Sequence, residues 1–136
     1  MTAFALCLLL ALDPTTTGNE VVSGCGYAQP IVTAAEQYGL NPRLLVAIAR
    51  RETSIHAATN SSGHCGPWQV HPAWADGFSC ADLQGPIGAW AGAFVLRDKL
   101  RASHGNLKEA LRRYSGSRKG STWYARQVLN LIPKEA

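Results

Sequence analysis

Residues 42–53 read PRLLVAIARRET, and the register of this stretch decides the fold class. Leu45, Ile48, Ala49 and Glu52 recur at three- and four-residue steps, the spacing that puts side chains on one face of an α-helix. Asn41 followed by Pro42 supplies an N-cap and a first helical residue whose missing N–H costs nothing there. Arg43 and Arg50 fall well around from this face, so Glu52 continues an apolar stripe near the helix's C-terminal end. A carboxyl so placed is desolvated, and the negative end of the helix dipole also disfavours its charge. Both effects raise its pKa, which is what a general acid working near neutral pH requires. The bland alternative is a surface carboxylate at a helix end, paired with a nearby arginine.

Outward from that helix the pattern stays helical. Ile31, Val32, Ala35 and Tyr38 predict a helix over 28–38, closed by Gly39. Residues 54–82, crowded with Gly, Ser, Asn, His and Pro, predict a loop with a short turn near 67–70. A helix over 86–103 would bury Ile87, Trp90, Ala91, Phe94 and Val95, with Gly105 as its stop. Asn106 and Glu109 have the spacing of a capping box for a helix reaching Tyr114. Ser121 caps a last helix carrying Trp123, Tyr124, Val128 and Leu129, ended before Pro133. No strong strand signal occurs. The expected class is all-α, or α+β at most with a small hairpin, in a domain over 27–136.

The 136 residues, 46% of them hydrophobic, suffice for one compact domain with a real core and not for two. Residues 1–12, MTAFALCLLLAL, form an apolar run too short to cross a bilayer as a helix. The run reads as a signal-peptide core, a docking segment or a start-site artefact, since no Lys or Arg precedes it and no clear Ala-x-Ala site follows. Residues 13–26, rich in Thr, Gly and Ser, read as a linker. Cys7 lies in the apolar run and is expected to play no part in the folded domain, and Cys25 has no assigned role. Cys65 and Cys80, 15 positions apart around a loop, read as a disulfide worth about 3 kcal/mol by loop closure, which implies an oxidising compartment. Zinc bound near His64 and His71 is the rival, though no standard ligand spacing occurs. Net charge is −3 over residues 1–96 and +7 over residues 97–136. A basic C-terminal part attracts polyanions, whether nucleic acid, anionic membrane or bacterial wall. No nucleic-acid recognition motif accompanies it, so no nucleic-acid partner is expected. Arg112, Arg113, Arg118 and Lys119 read as a solvated face or a contact to wall anions.

Three blocks taken in order are more specific: YGLNPRLLVAIARRETS, SSGHCGPWQVHP and GNLKEALRRYSGS. Together they resemble the lytic transglycosylases of the lysozyme-like superfamily. The pattern there is a helix ending in Glu-Ser, then Gly-x-x-Gly-Leu-Met-Gln, then Tyr-Asn-x-Gly. Glu52-Thr53 stands at the first block, Gly63, Gly66 and Gln69 at the second, and Tyr114 with Gly116 at the third. Thr53 replaces the serine and keeps its hydroxyl, Pro67-Trp68 replaces Leu-Met, and Ser115 replaces the asparagine. The resemblance implies a lysozyme-like helical domain with a substrate groove and Glu52 as the one catalytic acid/base. Its substrate would be the glycan strands of peptidoglycan, with no metal or organic cofactor. Tyr114 would hydrogen-bond Glu52 or the substrate, and Gln69 would bind an N-acetyl or hydroxyl group. Gly66 would let a sugar approach the backbone, Trp68 would form an aromatic groove wall, and Thr53 would lie at the site. Such an enzyme would act outside the cytoplasm or in a phage virion, with the N-terminal segment joining a secretion, conjugation or tail assembly. Asp76 and Asp82 are the residues that would activate water in a hydrolysing muramidase instead. A non-catalytic wall-binding module of the same fold is the third reading.

Overall fold

The computed structural model describes residues 1–116 and 121–134. Among them the chain forms helices α1 (Ala3–Leu12), α2 (Gly18–Tyr38), α3 (Pro42–Thr53), α4 (Cys80–Gln84), α5 (Ile87–Ala102), α6 (Leu107–Tyr114) and α7 (Ser121–Asn130). The loop between α3 and α4 holds one 3-10 turn, Pro72–Trp74, and two isolated β-bridges, Thr59 to Cys65 and Cys65 to Val70. The described residues are all-α as expected, with those bridges in place of the small hairpin that the sequence allows at most. The capping contact expected of Ser121 lies outside the described residues, as do Arg118 and Lys119.

Helix α3 is the centre. Every residue from Leu44 to Arg50 is buried, because α2, α5 and α7 all pack on it. Asn41 caps it as expected, its side-chain oxygen accepting the Arg43 N–H at 2.9 Å. The Leu45, Ile48, Ala49 stripe is fully enclosed. Arg50 lies off that stripe, as its spacing predicts, and is itself buried on another face. Its Nε donates to Glu20 Oε2 at 3.1 Å, Nη1 to the Leu131 carbonyl at 2.8 Å and Nη2 to the Thr15 carbonyl at 3.0 Å. Pairing plus saturated hydrogen bonding is what lets a guanidinium leave water.

The N-terminal reading is corrected. Residues 18–26 are no linker but the first turns of α2, started by a capping box in which Thr17 Oγ1 accepts from Glu20 N and Glu20 Oε1 accepts from Thr17 N. Within residues 1–12, Ala3–Leu12 form α1, which lies along α2 with Leu6 and Leu10 fully buried. Cys7 is part of the folded protein through its disulfide to Cys25, with Cα atoms 4.7 Å apart. An apolar helix of ten residues gains little alone, so burial of two leucines and a covalent clamp hold it. Among the described residues no helix is long and apolar enough to cross a membrane.

Trp68 connects the loop to the helices. Its ring is fully buried, its Nε1–H donates to the Leu45 carbonyl at 2.9 Å, and it meets Tyr27 edge-on at 5.7 Å. Helix α5 reaches it through small residues, Gly88, Ala89, Ala91, Gly92 and Ala93 being buried, whereas Ile87, Trp90, Phe94 and Val95 are only partly covered. A methyl group on Gly92 would sit 2.7 Å from Trp68 Cγ. Gly92→Ala is therefore expected to destabilise the fold by about 1–3 kcal/mol through overpacking, read as a lower denaturant midpoint.

Candidate active site

The site begins where α3 stops. Ser54 and Ile55 both take left-handed backbone, φ 54° and 62°, and the Ile55 N–H returns to the Ala49 carbonyl while the Ser54 N–H goes to Arg50. Two left-handed residues in a row end the helix, and left-handed φ is costly for a β-branched residue. Complete burial of Ile55 holds it there. The chain thus turns sharply away after Thr53 and leaves Glu52, half-buried, at the helix edge.

Glu52 meets α7. The Tyr124 hydroxyl donates to Glu52 Oε2 at 2.6 Å. Burial raises the Glu52 pKa above its ordinary 4.5, and this outweighs the Tyr124 hydrogen bond and the nearby Arg51 charge, which both favour the carboxylate. Arg51 is itself engaged, its Nε donating to Gln127 Oε1 and its guanidinium carbon 5.3 Å from the Tyr124 ring centre. That cation–aromatic contact braces the tyrosine. Burial, followed by the Glu52 charge, also pushes the Tyr124 and Tyr114 phenols upward, so both remain proton donors.

Tyr124 is the Glu52 partner that the sequence did not reveal. It appeared only as one of the large side chains of the last helix. The available signal was its phenol on a buried stripe with Val128, four residues on, where the hydroxyl needs a partner. Tyr114, expected to bond Glu52 or substrate, instead donates to the Trp68 carbonyl at 2.8 Å. It stands close enough to feel the Glu52 charge.

The other expected site residues serve the loop. Trp68 forms no groove wall, because its ring is fully buried beneath α5. Gly66 is required by protein rather than sugar. Its φ is +81°, and a Cβ there would lie 2.0 Å from the Leu83 carbonyl oxygen. Thr53 Oγ1 points its proton to Pro67 O at 3.0 Å, with Ala49 O at 3.3 Å, and accepts from His56 N, tying the helix end to the loop. The Gln69 amide donates to the carbonyls of Ala58 and Gly66, each at 3.1 Å. Cys65 and Cys80 are joined, Cα atoms 5.5 Å apart, so neither sulfur is left for the zinc alternative. Asp82 caps α4, accepting from Ser79 N at 2.9 Å and Ser79 Oγ at 3.0 Å, and Asp76 sits on an exposed turn.

A cleft of about 180 Å³ opens between this loop and α5–α6, lined in part by Gln69, His71, Trp74, Lys99, Arg113 and Tyr114. Glu52 is outside its lining, and Tyr114 joins the two places. The arrangement is one half-buried carboxyl bonded by the Tyr124 phenol, with a second phenol, Tyr114, within its electrostatic reach and lining a cationic, aromatic cleft.

No protein-family model matches the chain. The sequence is similar to a protein named Transglycosylase from Enterobacteria phage PRD1, 31% identical over 100 residues. The aligned part is 72% of this chain and 37% of that protein's length.

The raised Glu52 pKa has a stability consequence. A carboxyl whose folded pKa exceeds its unfolded one contributes fully below the unfolded pKa, and that contribution is lost as pH rises through the folded value. Glu52→Gln, which keeps an acceptor for Tyr124, is expected to raise the melting temperature relative to wild type at pH 8. The gain should vanish below the ordinary 4.5, as thermal unfolding across pH will show.

Proposed function

We propose that the chain is a peptidoglycan lytic transglycosylase that opens the wall locally, cutting the β-1,4 bond between N-acetylmuramic acid and N-acetylglucosamine. The observation that carries this is Glu52, a half-buried carboxyl of raised pKa hydrogen-bonded by Tyr124. The similarity to a phage protein named Transglycosylase agrees with it. Protonated Glu52 gives its proton to the bridging oxygen as the bond from muramoyl C1 to that oxygen breaks. The charge that builds on the sugar ring is oxocarbenium-like. The muramoyl C6 hydroxyl then attacks C1, and its proton passes to Glu52, which is restored. The product is a 1,6-anhydro sugar, and no water is consumed.

An internal nucleophile gains from effective concentration and needs no second carboxylate. The engagement of Asp82 in a helix cap and the exposure of Asp76 favour this route over a muramidase that activates water. Two disulfides suit an oxidising setting outside the cytoplasm or in a virion. Phe4, Leu8 and Leu12, exposed at four-residue steps on α1, are the surface through which a secretion, conjugation or phage tail assembly would hold the enzyme.

Mass spectrometry of purified sacculi is the test. Wild type should release anhydro-muropeptides and Glu52→Gln none, whereas reducing-end products from wild type would overturn the transglycosylase route. Tyr124→Phe removes a hydrogen bond to the carboxylate form. It should slow turnover roughly tenfold through loss of one charge-assisted bond. It should also move the alkaline limb of kcat/KM to higher pH, because the acid then holds its proton longer.

A further inference from the structure

The cleft beside Glu52 carries chemistry that a neutral sugar does not need. Its lining contains Lys99, Arg113, His64 and His71 and no carboxylate. Arg113 shares Glu109 with Arg112, which takes that carboxylate through both Nε and Nη2, whereas Arg113 has one 3.2 Å contact. One negative charge thus serves two guanidinium groups, and a positive charge remains on this face. Trp74 stands 60% exposed on the 3-10 turn with Lys99 Nζ 4.9 Å from its ring centre. The turn is fixed by the Ala73 N–H donating to His71 Nδ1 at 3.1 Å. An open indole next to cations that outnumber their carboxylate matches a ligand with apolar carbon and a carboxylate on the same chain.

We propose that this cleft seats the stem peptide of the glycan strand, with Lys99 and Arg113 holding a peptide carboxylate and Trp74 covering its aliphatic part. The inference rests on the transglycosylase reading for its substrate and adds a specificity site to it. The muramoyl lactyl group bears the peptide next to the bond that is cut, and Tyr114 lines the cleft while lying within the electrostatic reach of Glu52. A strand with its bond at Glu52 therefore delivers its peptide here.

Calorimetric binding to full-chain Glu52→Gln protein tests this without turnover. The probes are a disaccharide–tetrapeptide, the same molecule with its carboxylates amidated, and the peptide-free disaccharide. The free-carboxylate probe should bind about tenfold more tightly than either of the others, the scale of one or two charge-assisted hydrogen bonds. Lys99→Gln with Arg113→Gln should abolish that advantage, and Lys99→Arg with Arg113→Lys should keep most of it. Equal affinity for the three probes, or an advantage surviving the glutamine pair, would overturn the proposal. Failure of wild type to form anhydro product with the binding advantage intact would sink the catalytic reading alone. Anhydro product without a peptide advantage would sink the peptide seat alone.

Discussion

Burial of the Trp68 indole organises the rest of the molecule. One side chain reaches α3 through its N–H, rests on the glycine face of α5 and meets Tyr27 of α2, while its backbone carbonyl receives the Tyr114 hydroxyl of α6. The loop after α3 is short of regular structure, and beside Trp68 its buried apolar side chains, Ile55, Cys65, Val70 and Ala75, are smaller. A tryptophan buries enough area to anchor such a loop, provided its N–H finds an acceptor. The Cys65–Cys80 disulfide and the Thr53 hydroxyl fasten the same loop at other points. The position of Tyr114 relative to Glu52 follows from this anchor.

The electrostatics around α3 are divided between neighbouring faces. Arg50 is neutralised by Glu20 and enclosed by backbone carbonyls, so its charge is spent away from Glu52. Arg51 lies over the Tyr124 ring and is drawn toward Gln127. Glu52 is left with a phenol donor and partial burial, and burial dominates. A full ion pair to either arginine would hold the carboxyl ionised and remove its use as an acid.

How much the sequence disclosed depended on whether a residue's partners were local. The α3 stripe, the Asn41 cap, the span of α5 and the upward direction of the Glu52 pKa all follow from spacing within a few residues. Trp68 and Tyr124 did not follow, because their partners lie 23 and 72 positions away, and an aromatic side chain reads alike as core or platform. The Thr17–Glu20 capping box was legible at three-residue spacing, yet the Thr and Gly content around it gave a linker. Helix α1 could not be read, since a uniformly apolar run has no face and its order depends on the Cys7–Cys25 bridge and the groove of α2. Among the expected site residues, Glu52 is half-buried with its pKa raised, and Gln69 and Tyr114 line the cleft that Tyr114 links to it.

The central claim is that the fold holds Glu52 protonated at pH values where an ordinary glutamate is ionised. Carbon-13 NMR titration of the Glu52 side-chain carboxyl in the full chain measures this directly. A midpoint above 4.5 is expected, and a midpoint at or below that value would contradict a protonated Glu52.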